Sequence, residues 1–132
     1  MNALYGPTLL AHPVFSKTHA DFLRQLVAHT HLQVYLPGQY IAEKGDVDQS
    51  MYFVLSGEVI VYDKHGNNEI EQMVITKGGA FGDAQGIGGI PHDRSYKARF
   101  VCELLILVRD EWSYLMDWFP ASREFIFEQL KV

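Results

Sequence analysis

The sequence is poor in cysteine, in basic charge and in long hydrophobic runs, and each shortage excludes a class of protein. Its only cysteine, Cys102, cannot form an internal disulfide. A formal net charge of −5 leaves no cluster of lysine and arginine for binding nucleic acid. The longest run of aliphatic residues, 104–108, has five members, whereas a membrane-spanning helix needs about 20. We therefore expect a cytoplasmic domain that neither binds nucleic acid nor inserts into a membrane.

Signals for catalysis and for metal binding are also missing. Of the six histidines, His29 and His31 stand two residues apart and the others are scattered, and no cluster of ligands has zinc spacing. The sequence contains no Gly-x-Ser-x-Gly elbow, no P-loop and no dinucleotide-binding fingerprint. It therefore predicts a protein that is not an enzyme and that carries no metal or cofactor. An enzyme on a small metal-binding β-barrel is an alternative, which bound iron, zinc or manganese would support.

The sequence does contain enough apolar surface for one folded domain. Hydrophobic residues make up 48% of the chain and aromatic residues 13%, and 132 residues is an ordinary length for one domain. We expect a single domain over residues 1–132, in which residues 1–10 form a loosely ordered lead.

Hydrophobic periodicity predicts helices on both sides of a β-rich centre. An N-cap at Thr18 and the apolar face after it predict a helix over 18–29. Between 32 and 108, short apolar runs alternate with glycine-containing turns, a pattern typical of a β-roll, barrel or sandwich. The segment 110–132 predicts two helices, the first with Asp110 as its N-cap. The expected fold class is mainly β with flanking α.

The most specific feature of the sequence is the segment 78–85, which is followed, eleven residues after Asp83, by Arg94 and Ser95. Its residue types suit a cyclic phosphodiester. Gly82 lets the backbone approach an anion closely, and the amides after it can donate to that anion. The Arg94 guanidinium matches two phosphate oxygens, Ser95 adds a hydroxyl, and Asp83 would accept from a ribose 2′-hydroxyl. Each residue also has a plainer interpretation, with Arg94 as a solvated surface side chain and Gly82 and Asp83 as turn residues.

Four short motifs occur in order along the chain. They are Pro-Gly-x-x-Ile-x-x-x-Gly-Asp at 37–46, Met-Tyr-Phe-Val-x-x-Gly at 51–57, Phe-Gly-Asp at 81–83 and Arg-Ser-Tyr at 94–96. In this order and at this spacing, they resemble the cyclic nucleotide-binding domain, closest to the type in nucleotide-gated and hyperpolarisation-activated cation channels. The resemblance covers about residues 9–132. It implies a double-stranded, jelly-roll-like β-roll with one N-terminal and two C-terminal helices.

The resemblance also implies a function and a site. A domain of this kind binds cAMP or cGMP and passes the event, through its C-terminal helices, to an ion channel or related membrane protein. Its partners would be the nucleotide and the rest of the parent protein, from which this chain would be a piece. The ligand-binding residues that the family pattern implies are Phe81, Gly82, Asp83, Ala84, Gln85, Arg94, Ser95 and Tyr96.

The sequence departs from the family pattern at three places. Asp83 replaces a glutamate that is one methylene longer, and Tyr96 replaces an alanine. The segment 84–91 carries three glycines and a proline, which predict a looser or differently shaped segment in place of the short apolar helix usual in the family. These departures leave a second function open, in which the domain keeps its fold for assembly or gating and binds no nucleotide.

Overall fold

The structure, a computed structural model, describes residues 5–130. Its first element is helix α1 (Tyr5–Leu10), which buries Leu9 completely in the core. The prediction of a loosely ordered lead is therefore wrong for residues 5–10, because an apolar side chain there packs into the domain. Residues 1–4 of that predicted lead lie outside the described residues.

Helix α2 (Ala20–Ala28) follows and confirms the predicted amphipathic helix with a shorter span. Its N-cap is His19 rather than Thr18, because the His19 Nδ1 accepts a hydrogen bond from the Asp21 amide at 3.0 Å. The apolar face of α2 is buried as expected, so the periodicity identified the face even though it misplaced the cap.

Within residues 5–130, eight strands form two antiparallel sheets of four, which confirms the predicted β-roll fold class. The first sheet has the order β1 (His31–Tyr35), β8 (Cys102–Val108), β3 (Ser50–Ser56), β6 (Ala80–Phe81). The second has the order β2 (Tyr40–Ala42), β7 (Ser95–Ala98), β4 (Val59–His65), β5 (Asn68–Ile75). A two-residue turn, Gly66 and Asn67, joins β4 to β5 in a hairpin.

Strands β3 and β8 are buried on both faces and separate two hydrophobic cores. Along β3, Tyr52 and Val54 face the second sheet, while Met51 and Phe53 face the helices. This division follows from the period of two in a strand, and it explains why the run 51–54 is apolar without alternation. The helices therefore pack on the outer face of the first sheet.

Three helical segments follow β8: α4 (Arg109–Trp112), α5 (Leu115–Trp118) and α6 (Pro120–Leu130). The sequence predicts a single helix in place of α4 and α5, with Asp110 as its cap, whereas the structure places Val108 at the N-cap and Asp110 in the first turn. The backbone between α4 and α5 tightens, since the Met116 amide bonds the Ser113 carbonyl three residues back at 3.1 Å.

The apolar face predicted for this C-terminal segment is buried. Trp112, Leu115 and Met116 all belong to the core between the helices and the first sheet. Helix α6 begins at Pro120, where a missing amide hydrogen is tolerated. Within residues 5–130, no helix has both the length and the apolar character needed to cross a membrane.

Candidate functional site

A cavity of about 770 Å³ opens between β5, β7 and a short helix, α3 (Asp83–Gly88). Ligand pockets for small molecules span roughly 300–1,000 Å³. The cavity is lined by most of the residues that the sequence singles out, namely Phe81, Gly82, Asp83, Ala84, Gln85, Arg94 and Tyr96. The structure thus brings two separate sequence motifs to one concave site.

Glycines allow α3 to lie directly against β3. Gly82 precedes the helix with φ +79°, and a Cβ there would stand 2.7 Å from the Ser50 carbonyl oxygen. A Cβ on Gly86 would stand 2.5 Å from the Met51 amide nitrogen. The prediction of a looser conformation is therefore wrong for residues 84–88, which lie in α3, and Gly86 serves close packing of this helix on β3.

Arg94 lies at the start of β7 with a guanidinium that few protein groups engage. Its side chain is 41% exposed, and Nη1 is 3.4 Å from the Asp93 carbonyl oxygen and 4.0 Å from the Asp93 Oδ2. Both contacts are at the weak end of their classes. The fork of donors is therefore available to an anion in the cavity.

Asp83 and Gln85 already make hydrogen bonds within their own segment. The Asp83 Oδ1 accepts from the Ala84 amide at 3.1 Å, so one of the amides expected to face an anion is occupied. The buried Gln85 donates from Nε2 to the Pro91 carbonyl at 3.3 Å and ties α3 to the loop after it. Asp83 and Gln85 both line the cavity, and Gln85 also holds α3 to the loop that follows it.

Ser95 is the predicted site residue that the cavity does not include. Its side chain is 0% exposed, and its Oγ accepts a hydrogen bond from the Lys44 amide at 3.0 Å. In the sheet, Ser95 stands opposite Tyr62 of β4, on the face that points away from the cavity. The Ser95 hydroxyl therefore binds the loop between β2 and β3 instead of facing the cavity.

Tyr96 places an aromatic ring in the cavity where the family pattern has alanine. The ring stacks on Phe81 with centroids 4.2 Å apart, and Phe81 in turn stacks on Tyr52 at 4.9 Å. Burial, with Asp93 nearby, raises the pKa of Tyr96 to about 12, and Arg94 opposes the rise. The cavity retains its volume with this ring present, so Tyr96 forms part of its wall.

A family model described as "Cyclic nucleotide-binding domain" matches residues 32–117, more than half of the chain. The chain belongs to this family. The matched segment contains both sequence motifs that meet at the cavity, as the resemblance in the sequence predicts.

Curated relatives of this cyclic nucleotide-binding domain are much longer proteins. Potassium channel SKOR of Arabidopsis thaliana is 30% identical over 118 residues, which cover 88% of this chain and 14% of the channel. Potassium/sodium hyperpolarization-activated cyclic nucleotide-gated channel 2 of Mus musculus is 28% identical over 111 residues, 84% of this chain and 12% of the channel. The chain is thus similar to a small part of each channel.

The fold of the domain is shared with a solved regulatory domain. The co-crystal structure of the regulatory domain of Toxoplasma gondii PKA with cAMP superposes with a TM-score of 0.78 at 18% identity. The match covers 97% of this chain and 49% of that one. At this identity the likeness establishes the common fold of the two domains.

The cyclic nucleotide-binding domain also contains site features that the sequence did not indicate. The cavity wall formed by residues 72–75 of β5 follows the exposed residues 68–71 of the same strand, and no motif marks it. His92 lies under the cavity floor, 2% exposed, and neither ring nitrogen has a hydrogen-bond partner among the described residues. Burial lowers the pKa of His92 below its ordinary value.

The C-terminal end of α3 is tied to the C-terminal helices. The Arg109 Nε, in the first residue of α4, donates to the Ile87 carbonyl at 3.2 Å. The Gln49 Nε2 donates to the Gly89 carbonyl at 2.6 Å. These two side chains satisfy carbonyls that the end of α3 leaves without partners.

No metal site emerges from the described part of the chain. Within residues 5–130, no three side chains of histidine, cysteine, aspartate or glutamate come together as a metal would require.

Proposed function

We propose that the domain binds a cyclic nucleotide, cAMP or cGMP, in the cavity between α3, β5 and β7. The observation that carries the proposal is the position of Arg94, a weakly engaged guanidinium at a cavity of about 770 Å³. A cyclic nucleotide offers one anionic group and otherwise a compact sugar and base, so one arginine can neutralise it. The membership of the family supports the same ligand class.

The proposed roles divide the cavity into two regions. Arg94 binds the exocyclic phosphate oxygens, and Gly82 lets the backbone approach them. Asp83 accepts from the ribose 2′-hydroxyl after giving up its bond to the Ala84 amide, which then becomes free to donate to the ligand. Phe81 and the β5 wall, residues 72–75, supply apolar surface to the rest of the nucleotide.

Coupling to the parent protein would run through Arg109. Because Arg109 is bonded to the end of α3 and is also the first residue of α4, a shift of α3 toward a ligand changes the start of the C-terminal helices. Only a difference in nucleotide affinity between two arrangements of these helices can do work on a larger protein. By similarity to its curated relatives, we propose that this protein is a channel or related membrane protein, with the domain on its cytoplasmic side.

Isothermal titration of cAMP and of cGMP into the 132-residue chain tests the binding proposal. A charge-assisted contact is worth about 1.5–3 kcal/mol, so Arg94→Ala should weaken binding by at least about tenfold. Arg99→Ala is the matched control, because Arg99 is exposed, pairs with Glu58 at 3.4 Å and does not line the cavity. Equal heats for wild type and Arg94→Ala would contradict the assignment.

A second candidate function is assembly or gating without nucleotide. It is favoured by the Ser95 hydroxyl, which is committed to the Lys44 amide, and by Asp83, which is bonded to its own helix. In that case, millimolar cAMP and cGMP would leave both the melting temperature and the amide spectrum of the chain unchanged. A shift of either with saturable dependence on concentration would rule this candidate out.

A further inference from the structure

The family pattern predicts that Ser95 faces the cavity, whereas in the structure Tyr96 faces it and Ser95 does not. Ser95, whose hydroxyl suits a phosphate, faces away from the cavity and is bonded to the Lys44 amide. Tyr96, whose family counterpart is alanine, faces the cavity. The cavity is therefore lined by a tyrosine and not by the serine that was expected there.

The geometry of β7 determines which of these two side chains faces the cavity. Within β7, adjacent side chains point to opposite faces of the sheet. Tyr96 is opposite Val61, another cavity residue, while Ser95 is opposite the outward-facing Tyr62. Turning Ser95 inward would require a one-residue register slip, which would expel Tyr96 and the buried Ala98 from the interior.

The Tyr96 hydroxyl has the properties of an unused hydrogen-bond donor. Tyr96 is 7% exposed, and its hydroxyl has no hydrogen-bond partner among the described residues. Its high pKa keeps the phenol protonated at neutral pH. Stacking on Phe81 fixes the ring beside the start of α3, and Arg94, two residues earlier and immediately before β7, lies at the same cavity.

We propose that Tyr96 donates its phenolic hydrogen to an exocyclic phosphate oxygen of the bound nucleotide, in the role that the family pattern gives to Ser95. This inference rests on the proposed function, because it requires a cyclic nucleotide in the cavity. Arg94 and Tyr96 then contact the phosphate from one strand, with a charged and a neutral donor. Tyr96 thereby becomes a determinant of how the phosphate is held.

The test is the affinity of four proteins for cAMP and for cGMP: wild type, Tyr96→Phe, Ser95→Ala and Tyr62→Phe. Tyr96→Phe keeps the stacked ring and removes only the donor, and Tyr62→Phe makes the same change on the outer face of the sheet. We expect Tyr96→Phe to weaken binding about tenfold or more, because the lost bond is to a charged group. Ser95→Ala and Tyr62→Phe should stay within about twofold of wild type, and melting temperatures check that each variant is folded.

Two phosphorothioate forms of cAMP separate a contact from a structural effect. Each replaces one exocyclic oxygen by sulfur, a poor acceptor, so the penalty of Tyr96→Phe should shrink for the form whose sulfur faces Tyr96. An equal penalty for cAMP and for both forms would overturn the phosphate contact. Unchanged affinity of Tyr96→Phe, or an equal loss in Ser95→Ala, would also overturn it while leaving the proposed function intact. Absence of binding by wild type would instead remove the proposed function and this inference with it.

Discussion

Replacing Gly86 by alanine would test how closely α3 must lie against β3. The new Cβ would stand 2.5 Å from the Met51 amide nitrogen, 2.6 Å from the Met51 Cβ and 2.9 Å from the Ser50 carbonyl carbon. These contacts are about 1 Å shorter than the optimum between non-bonded heavy atoms. Strand β3 cannot give way, because it is paired with β8 on one side and β6 on the other. The helix would therefore have to move outward.

The size of the effect follows from two opposing contributions. Overpacking of this kind costs about 1–3 kcal/mol, while alanine in a helix is favoured over glycine by up to about 1 kcal/mol. Gly88 offers a matched control in the same helix, since a Cβ there meets nothing within 4 Å. Because both changes gain the same kind of helix propensity, their difference isolates the packing cost. Gly86→Ala should be less stable than Gly88→Ala by about 1–3 kcal/mol.

Urea unfolding of both variants, followed by circular dichroism and tryptophan fluorescence, measures this difference. Trp112 is completely buried between the helices and the first sheet, so its emission reports loss of the core. If Gly86→Ala proved as stable as Gly88→Ala, α3 would have room that the structure does not show, and the close-packing argument would fail.

Two further changes test the surroundings of the cavity. Burial lowers the pKa of both His92 and His12 below the ordinary 6.5, so the unfolded chain binds more protons and stability should fall as the pH drops from about 7 through 6.5. His92→Phe removes one of these contributions, and its free energy of unfolding should depend less steeply on pH in that window; an unchanged slope would contradict the assignment. Arg109→Met leaves the Ile87 carbonyl without its donor and should lower the free energy of unfolding by about 1 kcal/mol. Urea unfolding checks this, and an unaltered midpoint would show that the bond contributes nothing.

The features that could be predicted from the sequence are those that depend on local residue patterns. The β-rich centre followed from short apolar runs between glycine turns, and the buried faces of α2 and of the segment 109–119 followed from helical periodicity. Arg94 and the segment 81–85 were found because they form motifs, and the structure brings them to one cavity. Each of these signals is carried by neighbours in the chain.

What the sequence left undetermined depends on contacts between distant segments. The direction of Ser95 is set by the register of β7 against β4, which no local pattern encodes. In the sequence, Gly86 and Gly88 predict a loose segment. In the structure, Gly86 instead allows α3 to pack closely on β3, which lies more than 30 residues earlier in the chain. Likewise, Leu9 is buried in a core that also contains Trp112 and Ile126, about 100 residues later in the chain, so no local pattern marked α1.

The two faces of β3 have a consequence for cooperativity. Met51 and Phe53 belong to the core beneath the helices, whereas Tyr52 and Val54 belong to the core between the sheets. Because β3 contributes side chains to both cores, loss of this strand would disrupt both of them. The half of the domain that contains the cavity and the half that contains the helices are therefore expected to unfold together, and loss of β3 would destabilise both.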